Sequence, residues 1–153
     1  MRVHVESVFE CPPELVWAEV QRPSLLQEVV RPLIRVEPVD GPFPDRWQQG
    51  TTVLARSYMF GFLPTGTRTI YFESVDPSRR EIQSREHDVL IRQWDHLVRV
   101  RATDDGRTRY SDEIEISGGP LTFFVWAFAM CFYRHRQRRW KRVARRLAAA
   151  VTA

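Results

Sequence analysis

The sequence predicts one α+β domain in which about seven antiparallel strands lie against a long C-terminal helix. Three observations carry that expectation. Between residues 33 and 117 the apolar residues recur with period two and the connections are mostly short, which makes sequential strands antiparallel neighbours. Gly118-Gly119-Pro120 then breaks the pattern, and residues 121–149 carry a helical stretch of roughly 40 Å at 1.5 Å per residue. With 153 residues, 43% of them hydrophobic and 27% charged, the chain has the size and composition of one folded core. No repeat, linker or low-complexity tract marks a second domain, so residues 1–150 read as one unit and residues 151–153 as a disordered tail.

The elements follow in order. Arg2–Phe9 alternates imperfectly and reads as a strand with one face inward. In CPPELVWAEV, Pro12 and Pro13 followed by Glu14 open a short helix, because proline costs little in the first turn and an acid suits the positive end of the dipole. Leu15, Val16 and Val20 form its inward stripe. Pro23 ends it, and Ser24 is the expected cap of a second short helix through Leu25, Leu26, Val29 and Val30, stopped by Pro32. Strands are then expected at Leu33–Val39, Thr51–Phe60, Thr67–Val75, Glu81–His87, Leu90–Thr103 and Thr108–Ser117, with turns at GFLPTG, DPSRR and DDGR.

The last helix has two halves. From Leu121 to Tyr133 it is apolar all round, so more than one side needs a partner: the sheet on one side, and a loop, a ligand or a second copy in a homodimer on the other. That run spans about 20 Å, too short for a bilayer core of about 30 Å. The second half carries eight Arg or Lys between Arg134 and Arg146 and no acid, which leaves 15 of the 23 basic residues against 19 acidic ones elsewhere. The net charge of +4 is therefore a property of this helix. Its ordinary reading is a solvated face whose long stems cover apolar surface; nucleic acid is not called for, and docking on anionic lipid or an acidic partner is the functional alternative. Phe132, Trp140, Val143, Ala144 and Leu147 share one stripe, interrupted by Arg136.

The N-terminal residues show no secretory signal, and Cys11 and Cys131 read as small buried hydrophobes rather than a disulfide, so a cytoplasmic setting is expected. Four histidines and two cysteines have no metal-ligand spacing, and the glycines form no phosphate loop, so no metal or cofactor is expected. The chemistry that remains is a pair. Trp94, His96, Val98 and Val100 share one face of their strand; Tyr110, Asp112, Ile114 and Ile116 share one face of the next. Joined by the DDGR hairpin, these faces bring His96 near Asp112, the pairing that general acid–base catalysis uses. The same two groups can equally form a buried polar network that ties Arg134 or Arg136 to the sheet, or anchor a ligand.

The stretches VESVFECPPELVWAEV, RQWDHLVRVRATDDGRTRYSDEIEI and FYRHRQRRWKRV, in this order, resemble the SRPBCC superfamily of START-like lipid carriers, pollen-allergen-like binders and polyketide cyclase/dehydrase proteins. The resemblance implies the helix-grip fold, a curved antiparallel sheet around a long C-terminal helix with a cavity between them. It departs from the pattern at Asp88–Gln93, where many relatives have a Gly-Pro-Phe step. The expected function is binding of an apolar or aromatic, lipid- or polyketide-like molecule in a cavity of roughly 300–1,000 Å³. Trp94, Tyr110, Phe124 and Phe128 would supply apolar wall, Tyr58 and Tyr71 hydroxyls, and His96 and Asp112 polar anchors. Two alternatives stand beside it: a cyclase or dehydrase with His96 as acid–base group, and an interaction module using the basic helix.

Overall fold

The computed structural model describes residues 1–152 of the chain. The strands are β1 (Arg2–Phe9), β2 (Ile34–Pro38), β3 (Thr52–Met59), β4 (Leu63–Asp76), β5 (Glu81–His87), β6 (Gln93–Ala102) and β7 (Thr108–Ser117). The helices are α1 (Pro13–Val20), α2 (Pro23–Val30) and α3 (Thr122–Thr152), the last preceded by a single 3₁₀ turn at Gly119–Leu121. All seven strands form one antiparallel sheet in the order β1-β7-β6-β5-β4-β3-β2. This is the expected α+β helix-grip arrangement, with the long helix and the two short ones on one face of the sheet.

Packing follows from the alternation. In β6, Trp94, His96, Val98 and Val100 are buried, and in β7 Thr108, Tyr110, Asp112, Ile114 and Ile116 are buried. Against them lies the α3 stripe of Tyr133, Gln137, Trp140 and Ala144. Trp140 is fully buried, with its ring 5.3 Å from Phe9 and 5.8 Å from Tyr110. Gln137 fixes the register of helix on sheet by donating from Nε2 to the Val5 carbonyl at 2.7 Å. Residues between the inward ones carry the opposite character: Arg85 bridges Glu73 and Asp95, and Arg99 bridges Glu81 and Glu113, across neighbouring strands. Opposite charges facing across strands are the outward half of the pattern that builds the core.

Several boundaries differ from expectation, each for a local reason. β4 begins at Leu63 rather than Thr67, because the turn is confined to Phe60–Phe62, where Phe60 (φ 52°) and Gly61 (φ 82°) take left-handed backbone. Pro64 and Gly66 are absorbed by a register shift between Ser57 and Tyr58. β6 begins at Gln93 rather than Leu90, since the Asp88 side chain accepts the N–H groups of Leu90 (2.9 Å) and Ile91 (2.8 Å) and holds those residues in a turn. α2 starts at Pro23 with Arg22 at the N-cap, so Ser24 lies inside the helix and does not cap it. α3 starts at Thr122, whose hydroxyl accepts the Gly118 N–H at 2.9 Å, and runs to Thr152. The tail expected at 151–153 is thus helical through 152; Ala153 lies outside the described residues. Both cysteines are unpaired, but only Cys11 is buried. Cys131 faces solvent from α3, a correction to the expectation drawn from its apolar neighbours.

Candidate functional site

The site is built where β4, β5 and β6 pass beneath α1, α2 and α3. His96 and Asp112 sit two residues out of register on adjacent strands, since Val98 is the residue directly opposite Asp112. Such diagonal neighbours on one face are within reach of each other, and His96 Nε2 lies 2.8 Å from Asp112 Oδ1. Asp112 is fully buried and takes three further partners: the Tyr110 hydroxyl (3.3 Å), Gln137 Nε2 (3.0 Å) and Arg136 Nη1 (3.5 Å). Arg136 in turn donates from Nη2 to the Tyr110 hydroxyl at 3.2 Å. The residue that interrupted the apolar stripe of α3 is therefore the buried cation that partners Asp112, whereas Arg134 is exposed.

Electrostatics set the protonation pattern. Burial by itself would push the Asp112 carboxyl up, but the Arg136 charge and the bonds from His96 and Gln137 outweigh it and hold the group below the ordinary aspartate value. With Asp112 ionised, the network assigns the proton to His96 Nε2 and leaves Nδ1 as the nitrogen that faces away from the pair. Nδ1 lies 4.0 Å from Glu86 Oε1. Glu86 accepts from Ser84 Oγ at 2.9 Å and pairs with Arg68 at 3.4 Å; Arg68 also pairs with Asp88 at 2.8 Å and lies over the Trp94 ring. Desolvation works against the charges of Arg68 and Arg136, yet neighbouring carboxylates more than offset it in both. Desolvation also pushes the Tyr110 and Tyr133 hydroxyls far above their ordinary value, so both remain neutral hydrogen-bonding groups.

A cavity of about 70 Å³ opens beside this network. Val20, Leu25 and Leu26 of α1 and α2, Trp47 of the loop before β3, and Ile70, Phe72, Ile82 and Val98 of the sheet form its apolar wall. Ser84, Glu86, His96 and Arg136 complete the lining. Its volume corresponds to about two waters at ~30 Å³ each in the liquid, well under the size expected from the sequence. A second groove of about 250 Å³ runs along Pro38, Asp40, Phe43, Pro44 and residues 51–54; it shares no residue with the ionisable network and bears only one ionisable group, Asp40. The smaller cavity is the one that joins apolar wall to buried polar groups.

Of the residues expected to contact a ligand, only His96 lines the cavity. Asp112 lies behind it as its hydrogen-bond partner. Trp94 and Tyr110 are buried within the core, where Trp94 Nε1 reaches the Tyr133 hydroxyl at 3.3 Å. Phe124 is 70% exposed and Tyr71 40%, so neither forms interior wall. Phe128 stacks on Phe132 along α3, and Tyr58 lies under the Arg35 guanidinium near the sheet edge. The apolar wall expected from Phe124 and Phe128 is thus absent from the cavity, because the first turns of α3 extend beyond it and Arg136 alone represents that helix in its lining. Sequence reasoning missed Arg68, Ser84 and Glu86. The period-two set Ile82, Ser84, Glu86 carried the signal, polar groups at inward positions of a strand.

On the rest of α3, Arg134, Arg138, Lys141, Arg142 and Arg145 are exposed and make no ion pair among the described residues. Among the described residues no cluster of His, Cys, Asp and Glu could hold a metal ion, and no helix is long and apolar enough to cross a membrane.

Sheet order and the position of α3 define a protein of helix-grip type. Solved structures of that shape are similar over nearly their whole length: protein CV1439 from Chromobacterium violaceum (TM-score 0.75, 11% identity, covering 94% of this chain and 96% of that one), Ms6760 from Mycobacterium smegmatis (0.69, 13%, 93% and 89%) and TTHA0849 from Thermus thermophilus (0.67, 12%, 100% of both). At such identity the likeness is one of fold. No curated protein matches the sequence. The chain belongs to the family described as domain of unknown function DUF8410, whose model matches residues 7–144.

Proposed function

We propose that this protein binds a small, largely apolar or aromatic molecule between its sheet and its helices, in the manner of the SRPBCC superfamily that its motifs resemble. One observation carries the reading: a partly open cavity lined by eight apolar residues together with Ser84, Glu86, His96 and Arg136. Pockets of that make-up hold a ligand by apolar contact and orient it by a few fixed polar groups. At about 70 Å³ the cavity receives only part of such a molecule, and the remainder enters by displacement of Leu25 and Leu26 on the short α2 or of Trp47. The unpaired cysteines suit a reducing setting, so we assign this binding to the cytoplasm. Native mass spectrometry of the protein purified from its host tests the reading, followed by denaturation and identification of released compounds. A stoichiometric apolar compound supports it; protein at the chain's own mass that gains no apolar compound on incubation refutes it.

A second reading is favoured by the 2.8 Å contact between His96 and Asp112. The carboxylate fixes the imidazole tautomer and leaves Nδ1 on the cavity side, which suits an acid–base group in a cyclase or dehydrase acting on a polyketide-like substrate. His96→Ala separates the two readings. Lost turnover with retained ligand affinity marks an enzyme; unchanged conversion in the variant removes His96 from any catalytic role.

A further inference from the structure

The outward side of α3 changes character once along its length. Phe123, Phe124 and Cys131 are exposed near its start. Arg134, Arg138, Lys141, Arg142 and Arg145 are exposed further along. At about 100° of rotation per residue all of them fall in one sector about 100° wide, and from Phe123 to Arg145 that sector is about 33 Å long. Nothing in the neighbouring elements answers its charge. The five cations make no ion pair among the described residues, and the acids of β1, α1 and α2 are already paired: Glu6 with Arg109, Glu14 with Arg80, Glu19 with Arg22 and Glu28 with Arg146.

The apolar end of this face is widened by the turn between β5 and β6. A Cβ on Gly118 would meet the Leu90 carbonyl oxygen at 3.7 Å, so the turn lies against the residues that lead into α3. Val89 is 95% exposed there and Leu90 62%, beside Leu121, Phe123 and Phe124. Asp88, the only acid of the turn, is held by Arg68 at 2.8 Å. Exposed apolar side chains gathered at one place mark a contact site, unlike those scattered singly.

We propose that this face of α3 docks on an anionic lipid bilayer, with Phe123, Phe124, Val89 and Leu90 at the boundary between headgroups and acyl chains and the five cations over acidic headgroups. Helices that lie in a membrane surface combine these two features, apolar groups for the boundary and cations for the anionic leaflet. The apolar groups argue for lipid over nucleic acid. Val89 and Leu90 offer a base neither a stacking ring nor a hydrogen bond, and the phenylalanines stand outside the basic stretch instead of alternating with it. The proposal does not depend on the cavity.

The test is flotation of the full chain with vesicles of phosphatidylcholine alone and of equimolar phosphatidylcholine and phosphatidylglycerol, at about 0.1 M salt. The substituted side chains are exposed, so the core is left intact. The mixed vesicles are expected to bind at least about tenfold more tightly than the neutral ones. Joint replacement of Arg138→Gln, Lys141→Gln and Arg142→Gln should weaken that binding at least about tenfold, since each cation near an anionic surface contributes about fivefold. Phe124→Ser should weaken it at least about threefold through lost apolar burial. Equal binding to both vesicles, no binding to either, or indifference to the triple replacement overturns the proposal. So does indifference to Phe124→Ser, which would leave a purely electrostatic contact, or tighter binding of a DNA duplex than of the mixed vesicles at the same salt, which would assign the face to nucleic acid.

Discussion

Asp112 is the residue on which most of the buried chemistry turns. It is fully enclosed, yet ionised, because His96, Gln137, Tyr110 and Arg136 all present donors to it. Removing it strands a buried guanidinium, so Asp112→Ala is expected to cost about 3–5 kcal/mol in urea unfolding, the usual penalty for breaking a buried pair. Its carboxyl titrates lower in the folded chain than the usual aspartate value near 3.9. The folded state then binds fewer protons than the unfolded one. The contribution of Asp112 is therefore fully present above about pH 5 and is lost as the pH falls through the depressed folded value. Denaturation midpoints should decline more steeply below about pH 4 for the natural chain than for Asp112→Asn; parallel curves would show that the carboxylate adds no acid-dependent stability. Cysteine reactivity reports burial independently. Cys131 should react with a thiol reagent in the native protein, while Cys11, buried and with its thiol pushed up by desolvation, should react only on unfolding. The proximity of His96 and Asp112 was legible in the sequence from period-two alternation on two strands joined by a tight hairpin. The role of Arg136 was legible only as an anomaly, since a sequence locates an interruption in an apolar stripe but not the carboxylate that faces it.

At the scale of the element, α3 holds the molecule together through a stripe that changes character along its length. Its middle buries Trp140 between Phe9 and Tyr110, while its solvent face carries Arg134, Arg138 and Arg142. Trp140→Ala should destabilise by about 3–5 kcal/mol, as large-to-small changes in a packed core do, whereas Arg142→Ala should stay within about 0.5 kcal/mol. Thermal or urea unfolding of the two variants side by side checks this; comparable losses would mean that the basic face also contributes to folding. The strands and their order were readable because one sheet face is buried and the other charged, which enforces period two. Ends were less readable. Pro64 and Gly66 mimic a turn but lie within β4, because a register shift accommodates them. Asp88 ends pairing through side-chain bonds that no periodicity encodes. The start of α3 misled in the other direction: residues apolar all round suggested a cavity wall, yet Phe123 and Phe124 lie mostly in solvent.

The whole molecule places a partly open cavity where three strands and three helices converge, with its polar lining residues held by a network that also stabilises the fold. Sequence pattern anticipated the architecture, but the cavity wall draws one to three residues each from α1, α2, the 47 loop, β4–β6 and α3, a convergence that no contiguous motif encodes. An apolar molecule is expected to occupy this cavity. The most direct measurement is a methyl ¹³C NMR titration of the intact protein with acetophenone. Saturable shifts are expected at Val20, Leu25, Leu26, Ile70, Ile82 and Val98, with Val53 and Leu54 beside the second groove unmoved. Shifts confined to Val53 and Leu54, or no saturable shift at the cavity methyls, would contradict it.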